Sequence, residues 1–237
     1  MTTAFENISL SVSKGEFVAI LGPSGCGKST LLRSLAGLNE PSSGRFSIAS
    51  SQRSRASIAM VFQEHGLFPW MTLLENISFI LKNNSQIAPE DVPIITAEYL
   101  SIVGLSEFAS YYPHQVSGGM KQRISIARSF ANNPDILMMD EPFVFLDYQS
   151  RLLLHELLLK IWQGSGKTIL FVTHDIEEAV ILADRVIVMS ASPGKIIADE
   201  KINIERPRDP LKIRNSEEFR SRVEGFINYI RSDISIN

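Results

Sequence analysis

The chain has 237 residues, 44% apolar and 21% charged, which suits one compact domain with room for an inserted part. Its net charge of -3 argues against a nucleic-acid polyanion as the main partner, and its single cysteine excludes an internal disulfide framework and fits a reducing compartment. No N-terminal signal segment is visible and no apolar run reaches the roughly 18–20 residues of a membrane-spanning helix, so the chain is expected to be soluble and to meet a membrane only through a partner.

In chain order, Phe17 to Leu21 reads as a strand, followed at once by a glycine-rich turn. Thr30 to Leu38 reads as a helix, closed by the turn Pro41-Ser42-Ser43-Gly44, and Ile58 to Phe62 as a second strand. From about Thr72 to Ala131 strand signals give way to helical periodicity, at Leu73 to Leu81 and Ile94 to Val103, which reads as an inserted helical subdomain. Ile136 to Met139 and Ile169 to Thr173 are apolar runs ending in polar residues, as buried parallel strands do, and Arg185 to Met189 is one more. Helical patterns at Arg151 to Trp162 and Ile176 to Leu182 separate them. This is an α/β doubly wound pattern, in which ligands gather at the carboxyl ends of the strands. The tail from Arg206 carries two prolines and then a helix, with Asn215 and Glu218 in a capping arrangement. Phe219, Val223, Phe226 and Ile230 fall on one face of it, as in a helix docked on the domain surface.

Gly22-Pro23-Ser24-Gly25-Cys26-Gly27-Lys28-Ser29 matches G-x-x-x-x-G-K-[ST] between a strand and a helix, the context that confirms a phosphate-binding loop. Glycines let the backbone N–H groups curl round phosphates, and the helix N-terminus adds partial positive charge. Lys28 is expected to neutralise the β- and γ-phosphates of ATP or GTP, and Ser29 to ligand Mg²⁺, with Thr30 beside it. Cys26 reads as a small filler; a redox switch is the other reading. Ile136 to Glu141 is an apolar strand ending in two acids. Asp140 suits a Mg²⁺-holding position, and Glu141 then lies where it could activate an attacking water.

Val116-Ser117-Gly118-Gly119-Met120-Lys121-Gln122-Arg123 resembles the signature motif of ABC ATPases. It opens an expected helix, so amides near Ser117 and Gly119 can present a second anion site. The resemblance covers nearly the whole chain. It implies one ABC ATPase domain over 1–237: a P-loop NTPase with a RecA-like core, a small antiparallel β part, a helical subdomain at about 72–131 and a helical tail at about 206–237. It also implies two subunits paired head to tail, with Ser117, Gly118 and Gly119 of each facing the other's ATP. Gln63 matches the glutamine near Mg²⁺ and the attacking water, and His174 the histidine that contacts the γ-phosphate. Leu146-Asp147 matches a loop whose aspartate reaches across the dimer. His65, His114 and His155 carry no argument for catalysis.

Val61-Phe62-Gln63-Glu64 with Phe68-Pro69-Trp70, Tyr112-Pro113-His114-Gln115, Met139-Asp140-Glu141-Pro142-Phe143 and His174 to Val180 are similar to the nitrate, sulfonate, taurine and bicarbonate import branch. That branch implies a motor subunit using ATP and Mg²⁺, as a homodimer or with a paired ATPase subunit. It implies integral membrane permease subunits, a periplasmic or lipoprotein solute-binding protein acting indirectly, and no nucleic acid. The expected location is peripheral, on the cytoplasmic face of the inner membrane. A soluble ABC protein of translation or repair would show paired domains or a long coiled coil. An exporter and a non-catalytic or degenerate nucleotide-binding module with a truncated start are the remaining rivals. Two departures bear on these. Val144-Phe145 stand where the branch has glycine and alanine before Leu146-Asp147. Only 21 residues precede Gly22, and Phe5 aligns with an apolar position of a later strand, so the first strand and the aromatic that stacks adenine look absent. The expectation is a true start upstream, and weaker but not abolished ATP binding in the chain as given.

Overall fold

The computed structural model describes residues 3–48 and 56–236. Its strands are β1 (Phe17–Leu21), β2 (Ile58–Val61), β3 (Ile136–Asp140), β4 (Thr168–Thr173), β5 (Arg185–Met189) and β6 (Ile196–Lys201). They form one sheet in the order β2-β3-β4-β1-β5-β6, parallel except for β6, which runs antiparallel to β5 at the edge. The helices are α1 (Lys28–Leu35), α2 (Leu73–Lys82), α3 (Asp91–Ile102), α4 (Gly118–Ala131), α5 (Tyr148–Gln163), α6 (Ile176–Leu182) and α7 (Glu217–Ile236).

β1 and β4 bury every residue because helices cover both faces of the sheet. The strand period of two divides those residues between two cores. Phe17, Ala19, Leu21 and Phe171 pack with Leu154 and Leu158 of α5, Val180 of α6 and Phe219 and Phe226 of α7. Val18, Ile20, Leu170 and Val172 face Leu31 and Leu32 of α1. A third cluster, including Leu73, Ile77, Leu100, Ile124 and Ala127, binds α2, α3 and α4 together beside the sheet. α2 opens with a capping box between Thr72 and Glu75. The buried Asn76 ties the preceding loop down through Phe68 N–H and the carbonyls of Phe68, Met71 and Thr72.

Several boundaries differ from the sequence reading. α1 begins at Lys28 rather than Thr30, because left-handed Gly27 (φ 97°) turns the chain straight into the helix. It ends at Leu35 instead of Leu38, just before Gly37 at φ 76°. α3 starts three residues before Ile94, with Pro93 in its first turn, where a missing N–H costs little. The tail helix is capped by Ser216, whose Oγ accepts from Phe219 N–H at 3.2 Å, not by Asn215. Among the described residues antiparallel pairing is confined to β5 and β6, and Phe5 makes a single bridge to Gly194 rather than a strand. No described helix is long and apolar enough to cross a membrane.

One buried cation closes the tail onto the sheet. Arg208 donates to the carbonyls of Val180, Ile181 and Ala183 at the end of α6 and to those of Ile202 and Ile204 after β6. Burial pushes its guanidinium pKa down to about 10, so it stays charged at neutral pH.

Candidate nucleotide site

The carboxyl ends of three neighbouring strands bring the expected site residues together. Asp140 ends β3 opposite Val172 of β4, and Leu21 of β1 pairs with Thr173, the residue before His174. Val61 of β2 pairs with Met139 of β3, two residues before Gln63 and Glu141 respectively. Gln63 itself is exposed, in the loop after β2.

The loop from Gly22 to Ser29 is shaped by close packing behind it. Gly22 is buried, and a Cβ there would stand 2.8 Å from Met189 O. A Cβ at Gly27 would meet the Ala4 carbonyl, and one at Gly194 would overlap the carbonyl of Cys26. Gly194 N–H bonds Ala4 O at 3.1 Å, and Glu6 N–H bonds Gly194 O at 3.0 Å. Cys26 is thus sealed beneath the loop, and burial raises its thiol pKa, against a lowering by Lys28. Ser24, Gly25 and Thr30 are exposed on the open side.

Lys28 is 4% exposed, and its Nζ donates to Gly22 O at 2.9 Å and Pro23 O at 2.8 Å. The same Nζ lies 3.9 Å from Glu141 Oε1. Ser29 Oγ donates to Asp140 Oδ1 at 2.6 Å, and the other carboxylate oxygen of Asp140 faces Arg33 at 3.4 Å. Glu141 adopts a left-handed backbone (φ 44°), unusual for a residue with a side chain and a form of strain found at functional sites. Its N–H is held by Val172 O at 3.0 Å, and its Oε2 lies 2.9 Å from His174 Nδ1. Lys28, Glu141 and His174 therefore converge on one point above the loop, with Ser29 and Asp140 beside it.

Ser117, Gly118 and Gly119 lie elsewhere. Ser117 caps α4 by accepting from Met120 N–H at 3.3 Å, leaving the amides of the first turn pointing outward. Gly118 and Gly119 pack against Leu146 and Ser150. Asp147 caps α5 through Ser150 N–H at 3.0 Å and Ser150 Oγ at 2.6 Å, which hold its carboxyl below the usual range. Val144 and Phe145 leave that cap intact, and Phe145 is exposed. So the loop from Gly22 to Ser29 rests on Ala4, Met189 and Gly194, while the Ser117 segment rests on Leu146 and Ser150: two helix starts with different supports.

Arg33 had no place in the sequence reading, although it lies four residues after Ser29 on the same helical face, where side chains meet. His65, read as carrying no catalytic argument, joins the Gln63 loop to α4 through Gln122 Oε1. His155 is buried beside Glu178.

A buried lysine in a glycine loop, a serine on a strand-end aspartate and a carboxylate–histidine pair facing them define a P-loop nucleotide hydrolase. The start of α4 at Ser117 narrows the class, and comparison with known proteins agrees. Residues 5–144 match the ABC transporter family, and the chain belongs to it. It is 45% identical to the nitrate import ATP-binding protein NrtD of Synechocystis over 91% of this chain and 84% of that protein. It is 43% identical to the aliphatic sulfonates import ATP-binding protein SsuB of Bacillus cereus, over 90% and 83%. Among solved structures it matches the dimeric ATP-binding cassette MJ0796 in a post-hydrolysis state with ADP and Pi, with TM-score 0.72 and 35% identity over 85% of this chain and 92% of that one. The chain is an ATP-binding ATPase subunit of an ABC transporter with the ABC cassette fold.

Proposed function

We propose that this chain is the motor subunit of an importer for a small solute such as nitrate, a sulfonate, taurine or bicarbonate, and that Glu141 is its catalytic base. The contact that carries the base assignment is His174 Nδ1 at 2.9 Å from Glu141 Oε2, with Lys28 on the other oxygen of the same carboxylate. The import reading is supported by the names and identities of the nitrate and sulfonate relatives. A non-catalytic or degenerate module is not favoured, since Lys28 and His174 both meet the Glu141 carboxylate and Asp140 holds Ser29.

In this reading Lys28 leaves the carbonyls of Gly22 and Pro23 for the β- and γ-phosphates, and the amides of the loop from Gly22 to Thr30 cradle them. Ser29 and Asp140, two hard oxygen donors already in contact, would hold Mg²⁺ with Gln63 nearby. Their chemistry fits: Mg²⁺ takes one or two protein oxygens and completes its shell with phosphates and water, where it offsets the charge on the phosphates. Glu141 accepts the proton of the attacking water, and His174 steadies its carboxylate and the γ-phosphate. Ser117, Gly118 and Gly119 of a second subunit close over the nucleotide, with Asp147 at that boundary. Much of the rate gain comes from positioning and electrostatics, and closure of the pair moves permease subunits docked near Gln63 and the 72–131 helices. A solute-binding protein acts outside the membrane, and the chain sits on the cytoplasmic face.

The test is phosphate release by the complex purified with its membrane subunits, while candidate solutes and their binding protein are added. Stimulation by one anion class supports the reading. Steady hydrolysis that no solute changes, from a chain that co-purifies with no membrane protein, would count against import.

A further inference from the structure

The side chain of His174 is 47% exposed. A polar cluster behind it holds its loop. Thr173 Oγ1 donates to Glu178 Oε2 at 2.7 Å and accepts from Asp175 N–H at 3.0 Å, so the residues on either side of His174 meet at one hydroxyl. Asp175 Oδ1 in turn accepts from Glu178 N–H at 3.2 Å. The second oxygen of Glu178 faces Arg151 Nε at 3.7 Å and His155 Nε2 at 3.4 Å, both from α5. Arg151 also reaches Asp175 Oδ2 at 3.2 Å and the Leu146 carbonyl at 3.4 Å. A cavity of about 30 Å³, room for one water, separates this cluster from Glu141.

We propose that Glu178 is a positioning residue for hydrolysis. Through Thr173 it sets the height of His174 against Glu141, and through Arg151 it ties that setting to the Leu146-Asp147 segment. The inference rests on the reading of Glu141 and His174 given above. A buried carboxylate with only 5% exposure is retained where its bonds fix a geometry, since an apolar residue of similar size would be cheaper to bury. The direction of action is from Glu178 to the loop, because among the described residues its oxygens meet Thr173, Arg151 and His155.

The experiment compares Glu178→Ala, Glu178→Gln, Thr173→Val, His174→Ala and the Glu178→Ala/His174→Ala pair by kcat, KM, ATP affinity from a fluorescent analogue, and Tm. Glu178→Ala is expected to lower kcat about tenfold while ATP affinity stays within about twofold, the mark of lost alignment. Glu178→Gln, which can still accept from Thr173, is expected to restore most of the rate, and Thr173→Val to reproduce the loss. The double variant is expected to be no slower than His174→Ala alone. A kcat within about twofold of wild type for both Glu178→Ala and Thr173→Val, or losses that multiply in the double variant, overturns the inference. If Glu178→Ala does not fold, Thr173→Val and Glu178→Gln decide. Wild-type turnover in His174→Ala sinks the reading beneath it as well; a slow His174→Ala beside fast Glu178 and Thr173 variants sinks this inference alone.

Discussion

Glu141 and His174, 33 positions apart in sequence, stand 2.9 Å apart because they follow adjacent parallel strands, with Asp140 paired to Val172 near the ends of both. In the proposed mechanism the carboxylate accepts the proton and the ring holds it in place. Glu141→Gln is nearly isosteric but a far poorer base, so turnover should fall about 100-fold or more while ATP still binds. Phosphate release and nucleotide binding measured on the same preparation check this; undiminished turnover removes Glu141 from the role.

Lys28 is expected to exchange two carbonyl partners for two phosphates. Lys28→Ala should weaken ATP by about 1.5–3 kcal/mol, the worth of a hydrogen bond to a charged group, or roughly 10- to 150-fold. Titration of a fluorescent ATP analogue reads this directly. A change of less than about threefold would mean that the loop amides alone carry the phosphates.

Gly194 tests the support behind the loop. A methyl group there must displace the Cys26 backbone, so Gly194→Ala should cost about 1–3 kcal/mol of stability and lower ATP affinity without touching a nucleotide-facing side chain. Thermal unfolding with and without ATP separates the two effects. Full affinity in a stable Gly194→Ala protein would show that the 190–194 turn is not what shapes the loop.

Cys26 should be a slow thiol. Burial raises its pKa above the ordinary 9.0, so the reactive thiolate is scarce at pH 8 and alkylation should set in only at higher pH than for a free cysteine. Iodoacetamide labelling across pH 7 to 10, followed by mass spectrometry, measures the onset. Rapid labelling of the native chain at pH 7 would favour the redox reading over the filler reading. Cys26→Ser should keep ATP binding.

The parts of the site that lie within one strand-to-loop junction were legible from sequence. Gly22 to Ser29 and Ile136 to Glu141 each announce their geometry locally, by glycine spacing or by an apolar run that stops at acids. What escaped was contact between distant segments. β6 has the sequence Ile-Ile-Ala-Asp-Glu-Lys, too polar for the buried-strand pattern, because it is an edge strand with one partner. Arg208 gives no local sign that it will be buried, since its five carbonyl partners come from α6 and the segment after β6. His155 carries no argument for a role and Glu178 enters only as part of the His174 to Val180 resemblance; the packing of α5 against α6 makes them a cluster. The Asn215 cap was misplaced by one residue, in a run where Asn215 and Ser216 are both good caps.

The backing of the phosphate loop comes from late in the chain. Gly194 follows Cys26 by 168 positions, and the turn carrying Gly194 is itself held by Ala191 N–H on Asp233 at 2.7 Å. At about 5–20 residues per second, a ribosome finishes the loop roughly 10–30 s before it makes that turn. A nascent chain therefore carries the sequence of the loop well before the turn that packs behind it exists. The backing of the loop is complete only once the chain has been made past β5 and through α7, where Asp233 holds the turn.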